Sequence, residues 1–164
     1  MPGRQERIGA VITDASIRLA SRTDAADIAA LSRDHIEQGL GWSWTRARVE
    51  RAIGDPDTNV AVVRDARVLL AFGIMSYRDE AAHLLLFAVR KSHQRLGIGS
   101  VVLRWLEDVA REAGIRHIHV ECRRTNSVAR NFYCEHGYHE QIISPGYYRG
   151  VEDAVRLEKW LATL

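Results

Sequence analysis

Leu84-Leu85-Leu86-Phe87-Ala88-Val89, then Arg90-Lys91-Ser92-His93, then Gln94-Arg95-Leu96-Gly97-Ile98-Gly99-Ser100: this stretch decides how the chain is read. A run rich in Leu, Phe and Val ends in a polar, basic turn, and two glycines one residue apart open a long helical pattern. The order is strand, loop, helix start. Such a junction suits an anion. Backbone N–H groups in the first turn of a helix have no intrahelical partner, the helix dipole adds partial positive charge, and glycine lets a phosphate approach the main chain. On the glycines alone, a tight turn packed against a sheet explains the pattern equally well.

The flanking sequence supplies a frame for this junction. Upstream, Asn59 to Arg64 and Val68 to Tyr77 read as antiparallel strands joined at Asp65-Ala66-Arg67, and Asp79-Glu80 turns the chain into the decisive strand. Earlier still, Ser16-Ile17-Arg18-Leu19 alternates like a first strand. Thr23 is expected to cap a helix with Asp24 and Asp27 in its first turn, Ile28, Leu31 and Ile36 on one face, and Gly39 as its stop. A shorter helix spans Thr45 to Ile53. The loop between them, Gly41-Trp42-Ser43-Trp44, either lines a cleft or clamps the helices to a sheet. Downstream, a helix runs to about Glu112 with Val102, Leu103, Leu106 and Val109 inside and Gly114 as its C-cap. Ile115 to Cys122, Tyr138 to Ile143 and Asp153 to Lys159 read as strands, and Ser127 to Glu135 as a helix. Strand, helix and strand from 84 to 122 predict a parallel pair with a right-handed crossover.

With 164 residues, 46% of them hydrophobic, the chain fits one domain over residues 16–164, preceded by an N-terminal extension at 1–15. A balance of 23 basic against 21 acidic side chains gives a net charge of +2, too little for a nucleic-acid field. Two cysteines cannot build a disulfide framework and suit a reducing compartment. The start of the chain lacks the apolar core of a signal peptide, and the longest apolar run, Val68 to Met75, is too short to span a bilayer. A cytoplasmic protein without membrane or nucleic-acid partners is expected. No repeat or low-complexity segment is visible.

Gln94-Arg95-Leu96-Gly97-Ile98-Gly99 after a strand ending in Phe87-Ala88-Val89 resembles the acetyl-CoA signature of the GNAT N-acetyltransferase family, Gln/Arg-x-x-Gly-x-Gly/Ala. Asn126-x-x-Ala129-x-x-Phe132-Tyr133-x-x-x-Gly137-Tyr138 resembles that family's second hallmark and follows in the right order. Within the family, the motifs are most similar to those of ribosomal-protein alanine N-acetyltransferases. The resemblance covers roughly residues 16 to 160. It implies an α/β (α+β) GNAT fold, a mixed and mostly antiparallel sheet of six to seven strands flanked by about four helices. It implies acetyl-CoA as co-substrate with no metal, and a monomer or homodimer. Cofactor contacts fall on Phe87, Ala88, Val89, Gln94, Arg95, Leu96, Gly97, Ile98, Gly99, Ser100, Asn126, Ala129 and Tyr133.

Acetyl transfer from a thioester to an amine needs a neutral amine, a stabilised oxyanion and a protonated leaving thiol. Tyr133 matches the family tyrosine taken to protonate the thiolate. A phenol of pKa about 10 needs only ~2 kcal/mol of help to protonate a thiolate of pKa near 8.5. Two residues compete as base. Glu121, in Val120-Glu121-Cys122-Arg123, sits where the ribosomal-protein enzymes have a glutamate proposed as base, twelve positions before the tyrosine. His83 is the rival, six residues before Val89 and expected on the strand face of Leu85 and Phe87. Each also has a plain structural reading, Glu121 as an ion-paired strand carboxylate and His83 as a solvated strand end. By inheritance, the oxyanion meets the backbone N–H of Ala88 or Val89. Asn126 either contacts the pantetheine or caps the next helix. His117 and His119 share a strand face, but no third metal ligand has useful spacing. Cys122 and Cys134 need no nucleophilic role in direct transfer.

Tyr147-Tyr148 and the following Glu152-Asp153-Ala154 resemble the hairpin that closes the acceptor groove in N-terminal acetyltransferases, and Trp42 is placed with them in substrate binding. The resemblance implies a peptide N-terminal α-amine as acceptor. The alternatives are a small-molecule amine such as a polyamine, antibiotic or amino acid, and a non-catalytic CoA-binding module.

Overall fold

The structure is a computed structural model that describes residues 16–162; the expected extension at 1–15 lies outside them. Strands are β1 (Ile17–Leu19), β2 (Thr58–Asp65), β3 (Val68–Arg78), β4 (Ala81–Val89), β5 (His117–Arg123), β6 (His139–Tyr148) and β7 (Glu152–Trp160). Helices are α1 (Ala25–His35), α2 (Arg46–Gly54), α3 (Ile98–Glu112) and α4 (Ser127–Glu135). The strands form one sheet in the order β1-β2-β3-β4-β5-β7-β6, antiparallel except for β4 beside β5. The sheet and helix content agree with the sequence expectation.

Both faces of the sheet are covered. Ile98, Val102, Leu103 and Leu106 of α3 pack with Leu84, Ile118 and Val120 on one face. Ile28 and Leu31 of α1 and Val49 of α2 pack with Phe72, Ile74 and Leu86 on the other. Leu84 and Leu86 therefore face opposite cores although they are two residues apart. A β-bulge explains this: Ile74 pairs with Leu86 while Met75 pairs with Leu84, so Leu85 is the extra residue on β4. The bulge corrects the expected face of His83. It shares the α1/α2 face with Leu85, whereas Phe87, beyond the bulge, packs toward α3.

The parallel ladder is short. It pairs Ala81 with His117 through Leu84 with Val120 and stops there. Beyond that point β4 is bonded only to β3, and β5 only to β7, so the two strands part and leave an opening in the sheet.

Among the boundaries that differ from expectation, two have a clear physical reason. Thr23 is not the cap of α1; Asp24 takes that position, and its Oδ2 accepts from the Ser21 N–H at 2.8 Å. Strand β6 runs to Tyr148 rather than Ile143, because irregular pairing with β7 between Ser144 and Tyr148 accommodates Pro145 and Gly146 on this edge strand.

Asp24 anchors the start of α1 to the sheet. Its side chain is buried and accepts from Arg18 at 2.8 and 3.0 Å and from Arg64 Nε at 2.8 Å. Burial pushes its carboxyl up, but Arg18, the Ser21 amide and Arg64 outweigh burial and hold it well below the usual carboxylate range. A depressed folded-state pKa gives stability that is present above the unfolded value near 4 and lost as pH falls through the folded value. Asp24→Asn is expected to cost about 2–3 kcal/mol at pH 7. Denaturant melts of parent and variant should converge as pH drops below about 4; an unchanged gap there would contradict the assignment.

Candidate active site

At the β4–α3 junction, Gly97 is the N-cap of α3 with φ +84°, a left-handed conformation that disfavours any side chain. Val101 N–H is the first to bond back, to the Gly97 carbonyl, so the amides of Ile98, Gly99 and Ser100 face outward as first-turn donors. Gly99 is required for a different reason. A Cβ there would sit 3.3 Å from the Phe132 ring, which itself stacks on Phe87 at 5.6 Å. Gln94 Nε2 donates to the Val89 carbonyl at 3.0 Å, tying the turn to the end of β4. His136 joins the two motifs: Nδ1 donates to the Phe132 carbonyl, leaving Nε2 to accept from Ser100 Oγ at 2.8 Å. Asn126 caps α4, its Oδ1 accepting from Ala129 N–H, and also lines the cleft, so both readings of it hold.

The opening between β4 and β5 continues into a cleft of about 1100 Å³. It runs from the 94–100 turn past the parted strands to the α1–α2 loop and the β6–β7 hairpin. Phe87, Ala88, Val89, Gln94, Arg95, Gly97, Gly99, Ser100, Ala129, Tyr133, Glu121, Tyr147 and Tyr148 all line it. Four of the residues expected in the site do not. Ile98 is buried in the core and Leu96 packs against that core, so either reaches a ligand only through its backbone. Trp42 points away, exposed, with the Arg33 guanidinium 5.3 Å from its ring; Trp44, two residues on, lines the cleft instead. His83 lies behind the cleft wall.

His83 and Glu121, the two rivals for the base, form one pair. His83 Nε2 lies 2.5 Å from Glu121 Oε2, with Glu121 nearly buried and His83 about a quarter exposed. His83 and His119 are register partners across the parallel ladder, and their rings stack at 4.1 Å. Burial pushes the Glu121 carboxyl up, but the His83 hydrogen bond, with the Arg156 charge nearby, holds it below the ordinary range. Burial, with the neighbouring charges of His83 and Arg156, pushes His119 down to about 4, so its ring is neutral at pH 7. Its Nδ1 is buried with no hydrogen-bond partner.

These three residues also correct the expectation about metal ligands. His119 does acquire further donors, His83 and Glu121, with one atom of each within 4.8 Å of the others, while His117 stays outside the group. Near-parallel imidazole planes, 25° apart, direct their lone pairs side by side rather than toward one point.

Across the cleft, Tyr133 is buried among Phe87, Phe132 and Tyr138, and burial pushes its phenol well up. It stays protonated at neutral pH. Burial and the nearby Glu121 charge likewise raise Tyr147. Cys122, pushed up to about 11 by burial, remains a thiol.

Two further residues shape the end of the cleft at the α1–α2 loop. Glu37 is buried where α1 ends; Oε1 accepts from the amides of Ser43 and Trp44 and from Ser43 Oγ, folding the α1–α2 loop around one carboxylate. Arg123 on β5 donates to the carbonyls of Ile36 and Gln38 at 2.9 and 2.6 Å and fixes that loop to the sheet. Neither lies in a periodic pattern that marks it for burial. Their only sequence signal is a charged residue beside the glycine-tryptophan loop and next to the candidate base.

Residues 28–138 match the model of the acetyltransferase (GNAT) family. An uncharacterised N-acetyltransferase of Methanocaldococcus jannaschii is 37% identical over 78 residues, 47% of this chain and about half of that relative. The ribosomal protein bS18-alanine N-acetyltransferase of Escherichia coli is 29% identical over 125 residues, 74% of this chain and 84% of the relative. Among solved structures, the Escherichia coli ribosomal-protein-S18-alanine N-acetyltransferase superposes with a TM-score of 0.74 at 23% identity, over 90% of this chain and 94% of that one. Ard1 of Thermoplasma volcanium gives 0.76 at 23%, over 89% and 97%. The family match, spanning the 94–100 turn, the parted strands and the buried tyrosine, establishes that this chain is an N-acetyltransferase of the GNAT family.

Proposed function

We propose that the protein transfers the acetyl group of acetyl-CoA to the free α-amine of a protein or peptide N-terminus. The observation that carries this reading is the position of Glu121. It lies at the floor of the cleft beside the Tyr147–Tyr148 hairpin, bonded from behind to His83. An α-amine of pKa 7.7–8.0 costs only ~1–1.4 kcal/mol to deprotonate at pH 7, against ~4.6 for a lysine, so one carboxylate–imidazole pair suffices. Relatives named for alanine acetylation on a ribosomal protein support the same acceptor class. The same reading gives a cytoplasmic location, in keeping with the lack, among the described residues, of a helix long and apolar enough to cross a membrane.

The outward amides of residues 98–100 and the Arg95 side chain fit the phosphates of CoA, and the parted strands fit its pantetheine arm. When bound, acetyl-CoA supplies the acetyl group as a thioester. Arg90 N–H bonds to Leu70 on the β3 side, so alternation along β4 turns the amides of Val89 and Phe87 to the cleft and that of Ala88 to β3. Val89, whose carbonyl is held by Gln94, is therefore the oxyanion donor of the two considered. Glu121 receives the amine proton. His83, partly exposed and hydrogen-bonded to it, orients the carboxylate and passes the proton on, because imidazole is the side chain that exchanges protons near neutral pH. Tyr133 protonates the leaving sulfur.

Three outcomes are expected. Glu121→Gln should lower kcat by ~10²–10⁴-fold, and His83→Ala by less. Because the Glu121 carboxyl is held low, it is ionised throughout the neutral range. The rise of kcat/KM with pH should then follow the acceptor amine near 8, and Glu121→Gln should lower the plateau without moving that rise. Tyr133→Phe should reduce kcat with little change in cofactor affinity; a cofactor defect of equal size would make Tyr133 a packing residue.

Gly97→Val and Gly99→Val should each weaken acetyl-CoA binding by calorimetry, the first through backbone strain and the second by displacing Phe132. Parent-like affinity in Gly97→Val would move the phosphate site elsewhere. For the acceptor, mass spectrometry on matched peptides should show acetylation with a free N-terminus and none with a blocked one. Modification of lysine in the blocked peptide, or of polyamines only, would exclude the N-terminal reading.

A further inference from the structure

The charged side chains of the cleft differ in whether a partner holds them. Glu37 is held by the amides of the α1–α2 loop and Glu121 by His83, and Glu135 belongs to α4. Arg123 is held by Glu152 and two carbonyls. Two other arginines at the acceptor end have no acidic partner among the described residues. The Arg48 guanidinium lies 3.9 Å from the centre of the Trp44 ring, over the cleft wall. Arg149 extends from the β6–β7 hairpin to Gly41, where its guanidinium would touch a Cβ at 3.5 Å.

A guanidinium without an acidic partner on the wall of a concave site is available to pair with a carboxylate that enters. Beside it a carboxylate is favoured and an ammonium disfavoured. The distance along the hairpin also fits. Tyr147 stands beside Glu121, and Arg149 follows two residues later, in the turn just past the end of β6 with a left-handed φ of +54°, so its long side chain starts on the order of 6–7 Å from the Tyr147 backbone, about the span of two residues of an extended acceptor.

We infer that the acceptor is an N-terminal peptide carrying Asp or Glu at its second or third position, with that carboxylate paired to Arg149 and Arg48 while the α-amine lies at Glu121. This rests on the N-terminal reading above and narrows it. The same chemistry, an α-amine with a nearby carboxylate, also occurs in free amino acids and dipeptides, whose carboxylate is their own C-terminus.

Kinetics on three heptapeptides that begin with Ala and differ only at positions 2 and 3 (Glu-Glu, Ala-Ala, Lys-Lys) test it, with free alanine and alanylglycine as small-molecule arms. The expected kcat/KM for Glu-Glu exceeds that for Lys-Lys by about tenfold or more at low salt, and the gap narrows as salt is added. In Arg149→Glu the ratio should fall toward one or invert, and Arg48→Glu should move it in the same direction, with thermal melts confirming that both variants are folded. Equal rates for the three peptides, or a preference for Lys-Lys, would overturn the inference while leaving N-terminal acetylation intact. Faster turnover of alanylglycine than of the Glu-Glu heptapeptide would assign the arginines to a C-terminal carboxylate and overturn it too. Acetylation of a polyamine with none of the heptapeptides modified would remove the N-terminal reading itself.

Discussion

The early end of the β4–β5 ladder is the constraint on which the rest of the structure depends. Adjacent parallel strands in a buried sheet normally pair along their length, because each backbone group left dry and unpaired costs about 1–3 kcal/mol. Here pairing stops at Leu84 and Val120, and the chain beyond carries residues that line the cleft, Phe87, Ala88 and Val89 on β4 and Glu121 on β5. The bulge at Leu85 contributes directly: by rotating β4 half a turn it places Leu86 and Ala88 on one core and Phe87 and Val89 on the other. The opening is tolerated because α3 and α4 cover one side and the loop held by Glu37 and Arg123 covers the other. What remains exposed is a row of backbone donors and acceptors suited to an elongated polar ligand.

How much of this was legible in the sequence depended on whether the relevant physics was local. The 94–100 turn was readable because its requirements are backbone requirements: Gly97 needs a left-handed φ, and Gly99 needs room beside Phe132. The helix from Ser127 to Glu135 and its Asn126 cap were readable for the same reason. The face of His83 was not, since one extra residue on β4, set by register against β3, inverts every side chain that follows. Trp42 was chosen over Trp44 without any local rule to separate them, and alternate residues of a loop need not share a direction. The burial of Glu37 depends on amides six and seven positions away that converge only once the loop is folded.

The choice between Glu121 and His83 shows a different limit. Each residue was judged as an independent candidate on its own strand, yet the parallel register brings His83 level with His119 and lets its ring reach Glu121. A carboxylate held below its ordinary range is a poor final resting place for a proton taken from an amine. It is a good first acceptor only if a second group drains it. In the proposed mechanism His83, bonded to Glu121 and partly open to water, is the group that meets that condition. His119 stacks on His83 at 4.1 Å, and burial keeps its ring neutral at pH 7, so it gives the pair a packed surface without adding charge beside it. The burial that keeps His119 uncharged thus also fixes the electrostatic surroundings of the His83–Glu121 pair, and the base role proposed for that pair depends on the stack as well as on the hydrogen bond.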